Sequence, residues 1–156
     1  MITAVDTNIL LDVLVPGQQY AESSEESLAQ SLGAGPLVIS EPVYAELAGR
    51  FPAREELDKF LEDTSIRPQP SGVKALYLAG TLWREYLRRR SDSLVCPSCG
   101  ASQDVLCTRC GARLLPRQHG VADFLIGAHA AVHSDRLLTR DRGYYRTYFH
   151  GLQLQS

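Results

Sequence analysis

Residues 2–14 read ITAVDTNILLDVL, and the fold follows from how this stretch divides. Ile2 to Val5 is a short, partly β-branched apolar run, the composition of a buried strand. From Thr7 onward the apolar residues recur at Ile9, Leu10, Val13 and Leu14, the spacing of one helix face. Pro16-Gly17 ends that helix. A strand that passes directly into a helix leaves Asp6 at the junction. Asp6 is then either the N-cap of the helix or one arm of an acidic metal site. The choice depends on whether other carboxylates reach the same place.

The alternation recurs downstream. Residues 21–32, AESSEESLAQSL, read as an acidic helix closed by Gly33 and Gly35. PLVIS at 36–40 reads as a second strand, with Ser40 capping and Pro42 opening a helix over 41–51. Residues 53–63 turn Leu57, Phe60 and Leu61 to one face, and 65–69 form a short strand or extended link. In the longest helix, 71–90, the stripe expected to face the core is Val73, Leu76, Tyr77, Gly80, Trp83 and Leu87. Residues 120–134 form a helix with Phe124, Leu125, Ala128 and Val132 inward; RLLT at 136–139 is a strand, 141–149 a turn and short helix, and 151–155 a last strand. Strands alternating with helices predict an α/β fold with a central parallel sheet.

At 156 residues the chain is expected to be one domain, 1–156. No apolar run approaches the roughly 20 residues that cross a bilayer. No basic leader precedes a long apolar region, so the expected location is the cytoplasm, with no membrane partner. No P-loop, GxGxxG or GxSxG occurs, so a small-molecule nucleotide cofactor and serine-hydrolase chemistry have no support.

In open parallel sheets ligands sit beyond the carboxyl ends of the strands. Asp6 follows a strand directly and Asp141 lies just past the strand RLLT, Glu46 lies one turn into the helix after the second strand, and Asp123 opens the helix leading back to the sheet. Together they suit a hard ion, Mg²⁺ or Mn²⁺, because oxygen ligands select one and because adjacent carboxylates raise one another's pKa unless a cation intervenes. Such an ion supports phosphodiester hydrolysis by water. Singly, each acid has a plainer role: N-cap for Asp6, surface residue for Glu46, first-turn acid for Asp123, turn former for Asp141. Asp12 reads as an accessory to the first loop or a helix-face residue. His129 and His133, four apart without HExxH, read as a partly buried helix face.

Cys96-x2-Cys99-x7-Cys107-x2-Cys110 supplies two CxxCG units over residues 94–115. Paired knuckles of this kind present four thiolates to one tetrahedral Zn²⁺, a closed and therefore structural site. So short a segment cannot bury a core, and the ion would supply its folding energy. Net charge is −2, unevenly spread: residues 1–78 carry 5 Lys/Arg against 12 Asp/Glu, residues 79–156 carry 11 Arg against 6 acids. Arg suits phosphate because its planar fork bonds two oxygens.

VDTNILLDVL, EPVYAEL, VADFLIGAHA and LLTRDRGYYRTYF, in this order, resemble the PIN domain, especially the VapC-type toxin ribonucleases. The resemblance implies a four- or five-stranded parallel sheet flanked by helices; the cysteine segment, read as a zinc-ribbon insertion, departs from the family's usual outline. It implies a Mg²⁺/Mn²⁺-dependent endoribonuclease with Asp6, Glu46, Asp123 and Asp141 as the acidic quartet, Thr139 as the hydroxyl preceding the last acid and Asn8 as a brace of the first loop. Gly143 stands where many members carry a further acid. A toxin–antitoxin role implies an RNA substrate, an antitoxin partner and a homodimer. The alternatives are an RNA-processing or ribosome-maturation nuclease, or a non-catalytic RNA- or protein-binding module. The insertion lies beside Arg88, Arg89, Arg90, Arg113 and Arg117, expected to grip RNA.

Overall fold

The computed structural model describes residues 1–89, 94–95, 99, 101–114 and 120–156. The elements run β1 (Thr3–Val5), α1 (Thr7–Leu14), α2 (Ala21–Ala34), β2 (Leu37–Ile39), α3 (Glu41–Ala48), α4 (Arg54–Asp63), β3 (Ile66–Pro68), α5 (Gly72–Arg89), β4 (Leu94–Val95), β5 (Ser102–Gln103), α6 (Val121–His133), β6 (Arg136–Leu138), α7 (Arg142–Tyr148) and β7 (Gln153–Gln155). The main sheet has five strands in the order β3-β2-β1-β6-β7. Every pairing in it is parallel. The sequence expectation of an α/β fold with a parallel sheet is met. β4 and β5 form a separate antiparallel pair.

β1 is the middle strand, and its three residues are all buried, as a strand covered on both faces requires. Parallel pairing puts the carboxyl ends of β1, β2 and β6 at one edge. Asp6, Ser40 and Thr139 therefore emerge together. Ile9, Leu10, Val43 and Leu47 cover the sheet from α1 and α3, and Leu57 and Leu61 from α4. Each such side chain contributes roughly 1.5–3 kcal/mol on burial. Phe124 of α6 sits in an aromatic cluster with Trp83 and Tyr86 of α5 and Tyr144 and Tyr148 of α7, at ring separations of 5.1–5.5 Å. That cluster locks α7, and with it Asp141, against the core.

Several expectations need correction. In α5 the buried residues are Ala75, Ala79 and Tyr86, while Val73 is 83% exposed, Tyr77 75%, and Leu76 and Leu87 are also exposed. Only Trp83 of the expected stripe packs on the core. The small alanines let α5 and α6 approach closely, and the bulky apolar residues are left on the outer face. Val13 of α1 is exposed. Ser40 stands at the N-cap of α3, but its hydroxyl makes no capping bond. α2 runs through Gly33 and ends at Gly35, where a Cβ would run into the backbone of Met1.

Candidate active site at the carboxyl edge of the sheet

Asp6 has the extended backbone of an N-cap, yet its carboxylate makes no capping bond. Its Oδ2 accepts instead from Thr139 Oγ1 at 2.6 Å, Asn8 Nδ2 at 2.7 Å and Tyr145 OH at 3.3 Å. Asn8 Nδ2 also reaches Thr139 Oγ1, which accepts the Asp141 N–H at 3.1 Å. One hydroxyl thus ties the first acid to the last. Asp6 is 6% exposed, and burial pushes its pKa up to about 6, against the bonds from Thr139 and the Thr7 N–H; the nearby Asp123 charge adds to the rise.

The other acids reach the same neighbourhood by different routes. Glu46 accepts a hydrogen bond from the hydroxyl of Thr7, the residue after Asp6. Asp123, in the first turn of α6, accepts the Gly120 N–H at 2.9 Å, the plainer role its position predicted. Asp141 is the N-cap of α7 and accepts the Tyr144 N–H at 3.4 Å. The Tyr145 phenol is held above its usual range by burial first, then by the charges of Asp6, Asp123 and, less, Asp141. Of these acids, Asp6 is the one in hydrogen-bond contact with the buried tyrosine. Among the described residues, no three acids, histidines or cysteines stand close enough to share an ion as placed. The donor set is all oxygen, and Asp6 is desolvated beside Asp123, an environment that a hard divalent cation would relieve.

Sequence reasoning missed Thr7, Tyr145 and Arg140. Thr7 and Tyr145 bond to the acids across 39 and 139 positions, separations that no local pattern reports. Arg140 had a signal, since it lies between Thr139 and Asp141. Its Nε is 2.8 Å from Asp12 Oδ2, its N–H donates to Asn8 Oδ1 at 3.2 Å, and its guanidinium reaches the Asn8 carbonyl at 3.3 Å. Asp12 is 1% exposed and also accepts from Ser24 Oγ. It braces Arg140. Gly143 lies in the first turn of α7 with open space where a side chain would begin.

Cys96, Arg90 and Arg117 lie outside the described residues. Cys99, Cys107 and Cys110 carry free thiols. The Gly111 N–H bonds to the Cys107 carbonyl at 2.8 Å, and Gly111 takes φ +73°, which favours glycine. Backbone N–H groups of Cys110 and Arg109 point at the Cys107 sulfur and lower its pKa. Arg89 pairs with Glu85 at 2.7 Å and Arg113 with Asp104 at 3.6 Å, so both have acidic partners; Arg88 is on the last turn of α5. His129 is fully buried, more so than expected, and His133 Nε2 meets the Ser71 carbonyl. The tyrosines of α7 pack inward.

No curated protein matches the sequence. Among solved structures, the chain is similar to a chain of Rickettsia felis VapBC2 bound to promoter DNA, at 20% identity and a TM-score of 0.64, covering 99% of this chain and 98% of that one. It is similar to nontypeable Haemophilus influenzae VapBC-1 at 18% identity and a TM-score of 0.62, covering 100% and 98%. It is also similar to Mycobacterium tuberculosis VapC20, a sarcin-ricin loop cleaving toxin, at 15% identity and 0.52, covering 97% and 98%. At these identities the likeness speaks to the fold. The PIN domain family matches residues 3–150, nearly the whole length over which the acids, their hydroxyl braces and the five-stranded sheet were traced, and the chain belongs to that family.

Proposed function

We propose that this chain is a metal-dependent endoribonuclease, the toxin of a type II toxin–antitoxin pair. The observation that carries the reading is the Thr139 hydroxyl at the carboxyl edge of the sheet, which donates to Asp6 and accepts the Asp141 N–H, with Glu46 one hydrogen bond from the adjoining Thr7. Two of the similar structures are VapBC proteins and a third is a sarcin-ricin loop cleaving toxin, which favours the toxin reading over RNA processing.

Asp6, Glu46, Asp123 and Asp141 would hold Mg²⁺ or Mn²⁺, which when bound supplies Lewis acidity toward the phosphate and a water of lowered pKa. The chain's own part is positional. Thr139, Asn8 and Tyr145 all donate to Asp6 Oδ2, fixing the orientation of the carboxylate. Thr139 accepts the Asp141 N–H, so the two acids move as a unit. An antitoxin partner, a homodimer and a cytoplasmic location belong to the same reading.

The test is cleavage of single-stranded RNA with and without added Mg²⁺ or Mn²⁺. Asp6→Asn should keep the fold and lower cleavage by more than about 100-fold. Full activity in that variant, or activity indifferent to divalent ions, would overturn the assignment. Growth arrest on expression, relieved by a neighbouring antitoxin gene, separates a toxin from a processing enzyme.

The cysteine segment, residues 94–115, is proposed as a zinc ribbon inserted in one PIN domain. The N–H groups aimed at Cys107 Sγ and the left-handed Gly111 suit a thiolate knuckle. Cys99, Cys107 and Cys110, with Cys96, would hold the ion. Purified protein should carry one zinc by elemental analysis, and Cys110→Ser should lose it.

A further inference from the structure

A cavity of about 840 Å³ opens beside the acidic edge, between α2 and the loop after β6. On the α2 side its wall is polar: Glu26, Ser27 and Gln30 lie on one stretch of the helix and line the space. Arg140 and Arg142 line it from the other side. Tyr20, just ahead of α2, completes it, with its ring 4.8 Å below the Arg140 guanidinium carbon. Tyr20 is 45% exposed, and the guanidinium over its ring makes a stacked Tyr20–Arg140 pair at the rim.

Arg140 is anchored rather than mobile. A nearly fully buried Asp12 holds its Nε, and the Asn8 carbonyl accepts from its terminal nitrogen. Asn8 then donates to Asp6. The cavity is thus joined through one residue to the proposed hydrolytic centre. Two arginines across the cavity from a carboxylate make a purely phosphate-binding groove unsuitable, because Glu26 would repel phosphate on the α2 side. The same pairing suits a nucleotide laid across the space, with phosphate at the arginines and a base at Glu26 and Gln30. Single-stranded RNA is read by stacking bases on aromatic or guanidinium planes and bonding their edges. A carboxylate takes two parallel hydrogen bonds from a guanine edge, through N1–H and the N2 amino group.

We infer that this cavity seats a guanine-bearing nucleotide of single-stranded RNA next to the cleaved bond, stacked on the Tyr20–Arg140 pair, with its base edge on Glu26 and its phosphate on Arg142. This rests on the ribonuclease reading for its context, but it is tested by binding rather than cleavage. The full chain carrying Asp141→Asn, so that RNA persists, is titrated with fluorescent pentaribonucleotides UUGUU and UUUUU by anisotropy. UUGUU should bind tighter. Tyr20→Leu should weaken it by about tenfold, and Tyr20→Phe should retain it. Glu26→Gln should erase the preference for UUGUU over UUUUU.

Equal binding of the two oligonucleotides, no binding of either, or a Tyr20→Leu variant that binds as tightly as its parent overturns the pocket. If the unsubstituted chain cleaves RNA while the pocket variants keep its sequence preference, the pocket fails and the ribonuclease stands. If guanine-dependent binding is present without cleavage by the unsubstituted chain, the ribonuclease reading fails and the pocket stands.

Discussion

Arg140 Nε lies 2.8 Å from Asp12 Oδ2, so the loop after β6 is pinned to the middle of α1 by an ion pair whose acid is buried. Removing the acid strands the Arg140 guanidinium and the Ser24 hydroxyl. Asp12→Ala is expected to lower stability by about 1–3 kcal/mol. Urea unfolding measures this. A loss below about 0.5 kcal/mol would show that the pair is ornamental.

Gly127 sits inside α6, where a Cβ would run into the ring of Phe149. Gly127→Ala gains helix propensity but overpacks, and the net expectation is destabilisation of about 1–3 kcal/mol. Phe149→Leu in the same chain should recover part of it. Thermal melts of the three variants decide the matter, and a stabilised Gly127→Ala would contradict the packing described.

His129 Nδ1 is 3.2 Å from Ser71 Oγ, and the Ser71 hydroxyl donates to Glu41. The ring hydrogen therefore sits on Nδ1, leaving Nε2 buried without a partner among the described residues. Burial first, and the His133 charge second, lower the His129 pKa from 6.5 to about 4, with Glu41 opposing. The folded pKa is depressed, so the unfolded chain binds more protons between these values. The contribution of His129 is full above pH 6.5 and is lost as pH drops toward 4, by up to about 3 kcal/mol, while Asp6, raised to about 6, acts in the opposite sense over the same range. The stability of the wild type relative to His129→Gln, from urea midpoints, should therefore fall as pH drops through that range. Parallel slopes would refute the cause.

The two faces of α5 give a further contrast. Val73→Ser and Tyr77→Ser should change monomer stability by less than about 0.5 kcal/mol, because both side chains are exposed. Ala79→Leu, on the face against the core, should cost about 1–3 kcal/mol. The reverse ranking would restore the stripe expected from sequence.

That helix also marks where sequence reading stops. Its outer residues, Val73, Leu76, Tyr77 and Leu87, and its inner ones, Ala75, Ala79, Trp83 and Tyr86, both keep a helical period. Hydrophobic weight favours the outer set, whereas close approach to α6 requires the alanines, and only the neighbouring helix decides. The strands were legible because short apolar runs ended at turn residues or acids. The positions of Asp6 and Asp141 followed, since a strand passing into an acid fixes which edge it reaches. The bonds of Tyr145 and Thr7 were not legible, because they depend on rotamers meeting across long loops.

The hydroxyl nearest Asp6 belongs to Thr139, 133 positions later, and β1 has its second neighbour only when β6 arrives. Local pairings form early in a growing chain and distant ones must wait. A nascent polypeptide that has not yet emerged past β6 lacks the braces of its first acid. Translation itself therefore acts as a timer, withholding these braces of Asp6 until β6 has been made.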